Sequence, residues 1–157
     1  MDADWTSALH RARSHAPFLA HALERRADLA ELLADGQGEA ALLLPKQSRD
    51  ADVATALRRE RLGLALVLAV GDLAGAFDLE KVMRELSTFA ARALHAALEA
   101  AIRKRVPDAE PIGMIGLALG KHGAGELNYS SDIDPILLYD PETLPRRQRD
   151  EPGEAAQ

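Results

Sequence analysis

Asp132 and Asp134, two aspartates separated by one residue, stand just before a short apolar run and are the side chains best suited to chemistry. On an extended chain, residues two apart point the same way, so both carboxylates share a face while Ile133 turns toward the core. Their Cα atoms would be about 7 Å apart, so both carboxylates could bind one hard cation or bridge two neighbouring cations. This pattern favours a phosphoryl-transfer site, with Mg2+ as the natural ion.

A glycine-rich turn precedes the aspartates. Gly120, Gly123 and Gly125 permit backbone conformations that are closed to residues with a Cβ, so exposed amides can approach phosphate oxygens closely. Lys121 adds a mobile positive charge. The turn and the aspartates together indicate a site for a metal-bound phosphate.

Other phosphate and hydrolase motifs do not fit this segment. A Walker loop would need glycine where Ile115 stands and serine or threonine where His122 stands. A dinucleotide-binding fingerprint would need glycine in place of Asn128. No Gly-x-Ser-x-Gly motif of a serine hydrolase surrounds Ser130 or Ser131. An Asp-x-Asp pair alone is also typical of turns. His122 has two open interpretations, which are contact with phosphate and packing inside the turn.

The residues around the aspartates carry a family resemblance. The string ELNYSSDID from Glu126 to Asp134, with Gly120-Lys121 and Gly123 before it, resembles the nucleotidyltransferase signature of bacterial glutamine synthetase adenylyltransferase. That family is bifunctional, and the string is more similar to its amino-terminal, adenylyl-removing copy than to the carboxyl-terminal one. The resemblance covers about Leu57 to Tyr139.

The resemblance implies an α+β fold in which amino-terminal helices precede a truncated nucleotidyltransferase-like, polymerase-β-like β-α-β core. We expect a helical region at 1–107, the partial core at 108–145 and a mobile polar tail at 146–157. The resemblance makes Asp132 and Asp134 the catalytic, Mg2+-binding pair. It assigns the phosphate end of an adenine nucleotide, ATP or ADP, to Gly120, Lys121, Gly123 and Ser131.

The implied activity is Mg2+-dependent removal of an adenylyl group from a tyrosine of glutamine synthetase, with phosphate attacking and ADP released. Glutamine synthetase would be the partner, together with a nitrogen signal-transduction protein. The family's third metal-binding carboxylate lies on a later strand, and this sequence ends soon after Tyr139, so we expect an incomplete amino-terminal fragment. Three further departures are His122, Ala124 and Pro135, where the family has leucine, glycine and an aliphatic residue.

Two alternatives remain open. The helices could form a noncatalytic interaction module that binds glutamine synthetase or a regulatory partner while a remnant site stays idle. The chain could also be another small nucleotidyltransferase of the same superfamily, although the string from Glu126 to Asp134 argues against that.

Composition limits the possible partners and compartments. A net charge of −6 disfavours a general nucleic-acid surface, and the absence of cysteine excludes disulfides and thiolate chemistry. The longest apolar run, Leu62 to Val70, is far shorter than the about 20 residues of a membrane span, and no signal peptide pattern is present. We therefore expect a cytoplasmic protein that binds neither nucleic acid nor membrane.

The periodicity of apolar residues predicts the elements that position the site. Helices are expected over Asp4 to Ala34, from a cap at Ser48 or Asp50 to about Val70, and from a cap at Asp78 to a stop at Pro107. Buried strands are expected at 112–119 and 136–139. Two strands alone would leave sheet edges and an apolar face uncovered, so we expect a marginal or self-associating chain.

Overall fold

The computed structural model describes residues 3–47 and 52–146 of the 157-residue chain. The described elements, in order, are α1 Trp5–His15, α2 Pro17–Arg25, α3 Ala27–Ala34, α4 Gly38–Leu43, a 3-10 helix Leu44–Gln47, α5 Val53–Leu73, α6 Leu79–Arg105, β1 Met114–Leu117, α7 Gly120–Ala124 and β2 Ile136–Tyr139. The predicted α+β class is confirmed. No described helix is both long enough and apolar enough to cross a bilayer.

The chain forms two compact units, Met1–Leu86 and Ser87–Gln157, so the boundary falls within α6. The predicted division at residue 107 follows the end of α6 at Arg105 and stays a prediction. The assignment of 108–145 to a partial catalytic core stays a prediction. Beyond Arg146, the predicted tail lies outside the described residues.

The first unit is a helical core built around α5. Leucine and valine supply most of its fully buried side chains because aromatic residues make up only 4% of the sequence. Its largest fully buried side chains are Leu29, Leu33, Leu64, Leu66, Leu68, Val67, Val70 and Pro45. Trp5 meets Phe77 edge to face with ring centroids 6.1 Å apart, a favourable arrangement for two aromatic rings.

Gly71 in α5 leaves room for the ring of Phe77. A Cβ at this position would lie 2.2 Å from Phe77 Cδ2, which is far inside van der Waals contact. We therefore expect Gly71→Ala to lower the free energy of unfolding by about 1–3 kcal/mol, the usual cost of overpacking. Urea unfolding followed by circular dichroism measures the change. The exposed neighbour Asp72→Ala is the control, and equal stability of the two variants would contradict the prediction.

Aspartate side chains cap the amino-terminal ends of α1, α5 and α6. Asp78 Oδ1 accepts the N–H of Lys81 at 2.7 Å, which confirms the predicted cap of α6. The cap of α5 is Asp52, while Ser48 and Asp50 lie outside the described residues. The pKa of Asp52 lies below its usual range because the carboxylate accepts hydrogen bonds from the hydroxyl and the N–H of Thr55.

In the second unit, β1 and β2 pair antiparallel, with Ile115 opposite Leu138 and Leu117 opposite Ile136. These four side chains lie on one face of the sheet because opposite and alternate residues point the same way. They are 45% to 57% exposed and form what we call the apolar sheet face. The other face meets α6, where Leu94 Cδ2 would lie 2.7 Å from a Cβ placed on Gly116.

The prediction that both strands are buried is therefore wrong. All four residues of β2 are exposed, and Ile115 and Leu117 of β1 are exposed as well. An apolar run predicts burial only when neighbouring strands or helices cover both faces of the sheet. Here α6 approaches the second face at Gly116, while Leu137 and Tyr139 on that face are 45% and 44% exposed. No other strand pairs with β1 or β2 among the described residues.

Candidate functional site

The glycine-rich turn folds into α7, a single short helical turn. Gly120 and Gly125 have φ values of 53° and 76°, in the left-handed region that favours glycine, and Gly125 forms the carboxyl-terminal cap. The turn closes on itself because Gly125 N–H donates to His122 O at 3.1 Å and Glu126 N–H donates to Lys121 O at 2.7 Å. These two amides are thus used within the turn.

Gly123 has a structural reason to be glycine. Its N–H donates to Leu119 O at 3.1 Å, and a Cβ would lie 2.5 Å from Ala118 O. The close approach of two backbone segments therefore explains the glycine. Gly123 is not among the residues that line the cavity described below, whereas Gly120 is.

A second turn, held by the side chain of Asn128, leads into the aspartates. Asn128 Oδ1 accepts the N–H of Ser130 at 3.1 Å and the hydroxyl of Ser131 at 2.9 Å. In return, Ser131 Oγ accepts the N–H of Asn128 at 3.0 Å. The single hydroxyl proton of Ser131 is therefore used inside the turn, and only acceptor capacity remains for a ligand.

Ser87 of α6 anchors this second turn. Its buried hydroxyl accepts the N–H of Leu127 at 3.1 Å, which fixes the chain immediately before Asn128. Sequence reasoning missed this role because the two residues are far apart in the chain and a lone serine on a helix carries no distinctive signal.

Removing the Ser87 hydroxyl is expected to destabilise the second unit. Ser87→Ala leaves the buried N–H of Leu127 without its acceptor, so we expect a loss of about 1–3 kcal/mol in the free energy of unfolding. Chemical denaturation measures the loss. Thr88→Ala, at the next and exposed position of α6, should change stability far less, and a similar loss in both variants would contradict the assigned role.

The two turns face a common cavity of about 430 Å3. Its lining consists of Leu119, Gly120, Lys121, His122, Ser131, Asp132 and Asp134. The structure thus brings five of the six predicted site residues to one cavity from two separate segments, and Gly123 lies outside it. Asp132 and Asp134 are exposed, and Ser131 is half-buried.

The exposure of Ile133 differs from the prediction. Ile133 was expected to turn into the core, but it is 36% exposed. The strand β2 begins at Ile136, as predicted. Pro135 stands immediately before β2, where its missing N–H costs no ladder hydrogen bond. The aspartates therefore belong to the loop that leads into the strand.

The cavity combines groups that suit a cation and an anion. The carboxylates of Asp132 and Asp134 are the oxygen ligands that Mg2+ prefers, while the ammonium of Lys121 attracts phosphate. Within residues 3–47 and 52–146, however, no group of three or more aspartate, glutamate, histidine or cysteine side chains could hold a metal ion. The residues fit Mg2+ as two carboxylate ligands, with the remaining positions left to phosphate oxygens or water.

His122 and Leu119 line the cavity but were not among the predicted site residues. His122 is only 7% exposed, and neither Nδ1 nor Nε2 has a hydrogen-bond partner among the described residues. The sequence left open whether this side chain contacts phosphate or packs inside the turn. The structure gives it both a buried position and a place in the cavity wall.

Comparison with known proteins gives one consistent family. The family model described as glutamate-ammonia ligase adenylyltransferase matches residues 6–156. The proteins from Caulobacter vibrioides, Xanthobacter autotrophicus and Rhizobium meliloti, each called bifunctional glutamine synthetase adenylyltransferase/adenylyl-removing enzyme, are 38%, 43% and 33% identical over 99%, 76% and 84% of this chain. The chain spans only 18%, 13% and 14% of their lengths. No solved structure matches it significantly.

Proposed function

Because the chain belongs to the glutamate-ammonia ligase adenylyltransferase family, we propose that it carries the nucleotide- and metal-binding end of an adenylyl-removing site. In this proposal β1, α7 and β2 are the beginning of a nucleotidyltransferase-like core of the polymerase-β type. The substrate is glutamine synthetase adenylylated on a tyrosine. A cytoplasmic location and a nitrogen signal-transduction protein as regulator belong to the same proposal.

One observation carries the proposal: a single cavity collects Lys121 from one turn and the Asp132 and Asp134 pair from another. A cavity lined by a lysine and two aspartates suits a phosphate that arrives with a divalent cation. The string from Asn128 to Asp134, which resembles the adenylyl-removing copy, forms the second turn and the loop that carries the two aspartates.

The chemistry that follows is transfer of an adenylyl group to inorganic phosphate. An oxygen of phosphate forms a bond to the adenylyl phosphorus, the bond from phosphorus to the tyrosine oxygen breaks, and ADP and the free phenol result. Mg2+ would supply charge neutralisation at the phosphoryl oxygens when it is bound by Asp132 and Asp134. Lys121 would orient and partly neutralise the phosphate end, with Gly120 allowing the backbone to approach closely.

Titration of the full chain with ADP, in the presence and absence of Mg2+, tests the binding half of the proposal. We expect calorimetry to detect ADP binding that requires Mg2+. A parallel assay with adenylylated glutamine synthetase and phosphate looks for ADP formation. Binding of ADP with no dependence on Mg2+, or no binding at all, would overturn the proposal.

A noncatalytic interaction module is the second candidate, favoured by one specific observation. The described residues offer two carboxylates at the cavity and no group of three potential metal ligands. In this alternative the chain binds glutamine synthetase or a regulatory partner but forms no ADP. Capture of purified glutamine synthetase by the chain, without Mg2+-dependent ADP binding, would favour it.

A further inference from the structure

His122 is a buried histidine whose ring nitrogens are both unsatisfied by the described protein. Buried polar side-chain atoms are nearly always hydrogen-bonded, so an imidazole without partners needs an explanation. Both nitrogens are also shielded from solvent. The other described histidines are exposed and carry no such feature: His10, His15, His21 and His95.

The position of the residue supplies an explanation. His122 forms part of the cavity wall beside Lys121, and the cavity is completed by Ser131, Asp132 and Asp134. An imidazole has at least one N–H donor in every protonation state, whereas the ionised oxygens of phosphate only accept hydrogen bonds. A ligand with phosphoryl oxygens in this cavity would therefore complement a donor that the described residues leave without an acceptor.

A half-turn about χ2 exchanges each ring nitrogen with a ring carbon while the outline of the side chain stays the same. The exchange can thus change which atoms the ring presents to its neighbours. Ser131 cannot substitute as a donor while its hydroxyl proton is given to Asn128 Oδ1.

We propose that His122 is a ligand-binding residue whose imidazole donates a hydrogen bond to a phosphoryl oxygen held in this cavity. The proposal rests on the proposed function, because it assumes that phosphate or a phosphate-bearing nucleotide occupies the cavity. It assigns His122 a contact that would discriminate phosphoryl ligands from ligands without acceptor oxygens. Free phosphate and the phosphates of ADP share this chemistry, and the experiment separates them.

The test compares the wild-type chain with His122→Leu and with the control His95→Gln. Inorganic phosphate and ADP, each with and without Mg2+, are titrated into the three proteins by calorimetry, and thermal unfolding is recorded. We expect His122→Leu to weaken phosphate binding by about tenfold or more and at the same time to raise the melting temperature, because an unsatisfied polar ring is replaced by an apolar side chain. His95→Gln, exposed on α6, should bind as the wild type does.

A direct readout accompanies the affinities. In nitrogen-15 spectra of the histidine rings, the signals of His122 are identified by their absence in His122→Leu. These signals should shift when phosphate or ADP is added to the wild-type chain. A loss of affinity for ADP alone would assign the contact to the nucleotide, and a loss for both ligands would assign it to a phosphoryl position that they share. Unchanged affinities in His122→Leu together with unshifted ring signals would overturn the proposal.

The proposed function and this inference fail in distinguishable ways. Mg2+-dependent ADP binding that is unaffected by His122→Leu removes only the role of His122. Phosphate binding that depends on His122 but not on Mg2+ supports the contact and counts against the metal site of Asp132 and Asp134. A wild-type chain that binds neither phosphate nor ADP overturns both.

Discussion

Replacing Asp132 by asparagine should abolish Mg2+-dependent binding of ADP. The substitution keeps the size of the side chain and removes the negative charge from one of the two carboxylates that line the cavity. Loss of a group that only supports a metal ligand typically costs about 10–100-fold in affinity, so loss of a ligand itself should cost at least about 100-fold. Calorimetric titration with ADP at fixed Mg2+ measures the effect, and Asp134→Asn should behave in the same way.

The control for this experiment is Glu142→Gln, which makes the same change of charge at an exposed position of the same unit. Glu142 is not among the residues that line the cavity, so its loss should leave ADP binding unchanged. Because Asp132 is exposed, its substitution should also leave the melting temperature near the wild-type value. Mg2+-dependent binding that persists in Asp132→Asn would contradict the assignment of the metal site.

The features that the sequence predicted well are those set by residues close together in the chain. The Asp78 cap depends on a hydrogen bond to an N–H three residues later, and β2 has the predicted bounds Ile136–Tyr139. Gly125 adopts the positive φ that the glycine-rich turn was predicted to allow, although it serves there as the cap of α7 and its N–H is used within the turn. Such features follow from backbone geometry and short-range hydrogen bonds, so they do not depend on the rest of the fold.

Contacts between distant residues set the features that the sequence did not predict. The first strand begins at Met114 and not at residue 112, because Gly113 has a φ of 81° and its Cα packs against the backbone of Leu144. The anchor from Ser87 to Leu127 and the exposure of the strands likewise depend on which elements meet. A periodic pattern identifies an apolar face, but it does not say what covers that face.

The candidate site also combines features set by neighbouring residues with features set by contacts between distant residues. The residue types and the spacing of Asp132 and Asp134 predicted the chemistry from local information. Their meeting with Lys121 at one cavity depends on how two separate turns fold. The sequence predicted this meeting because the glycine-rich turn lies close to the aspartates in the chain, and the family resemblance then assigned the individual residues. His122 carried no pattern that decided between packing and ligand contact, because burial and hydrogen-bond satisfaction are properties of the folded chain.

The apolar sheet face should make this chain associate with itself in solution. Four aliphatic side chains remain about half exposed there, and fully burying one such side chain is worth about 1.5–3 kcal/mol, so each could contribute roughly 1 kcal/mol to association. Within the described residues each strand also has only one partner, which leaves an outer edge of β1 and of β2 open to pairing. A second copy offers the same face and the same edges, so the contact can be symmetric.

Leu138→Lys places a charge in the middle of the apolar sheet face and should weaken self-association by about tenfold or more. Sedimentation velocity over a range of concentrations measures the shift toward monomer. Leu79→Lys introduces the same charge at a leucine that is 69% exposed and lies outside the sheet, so it should leave association unchanged. A wild-type chain that stays monomeric at all concentrations and unfolds cooperatively would contradict the prediction and show that this face tolerates exposure. An equal effect of the two lysine substitutions would show that the association depends on net charge.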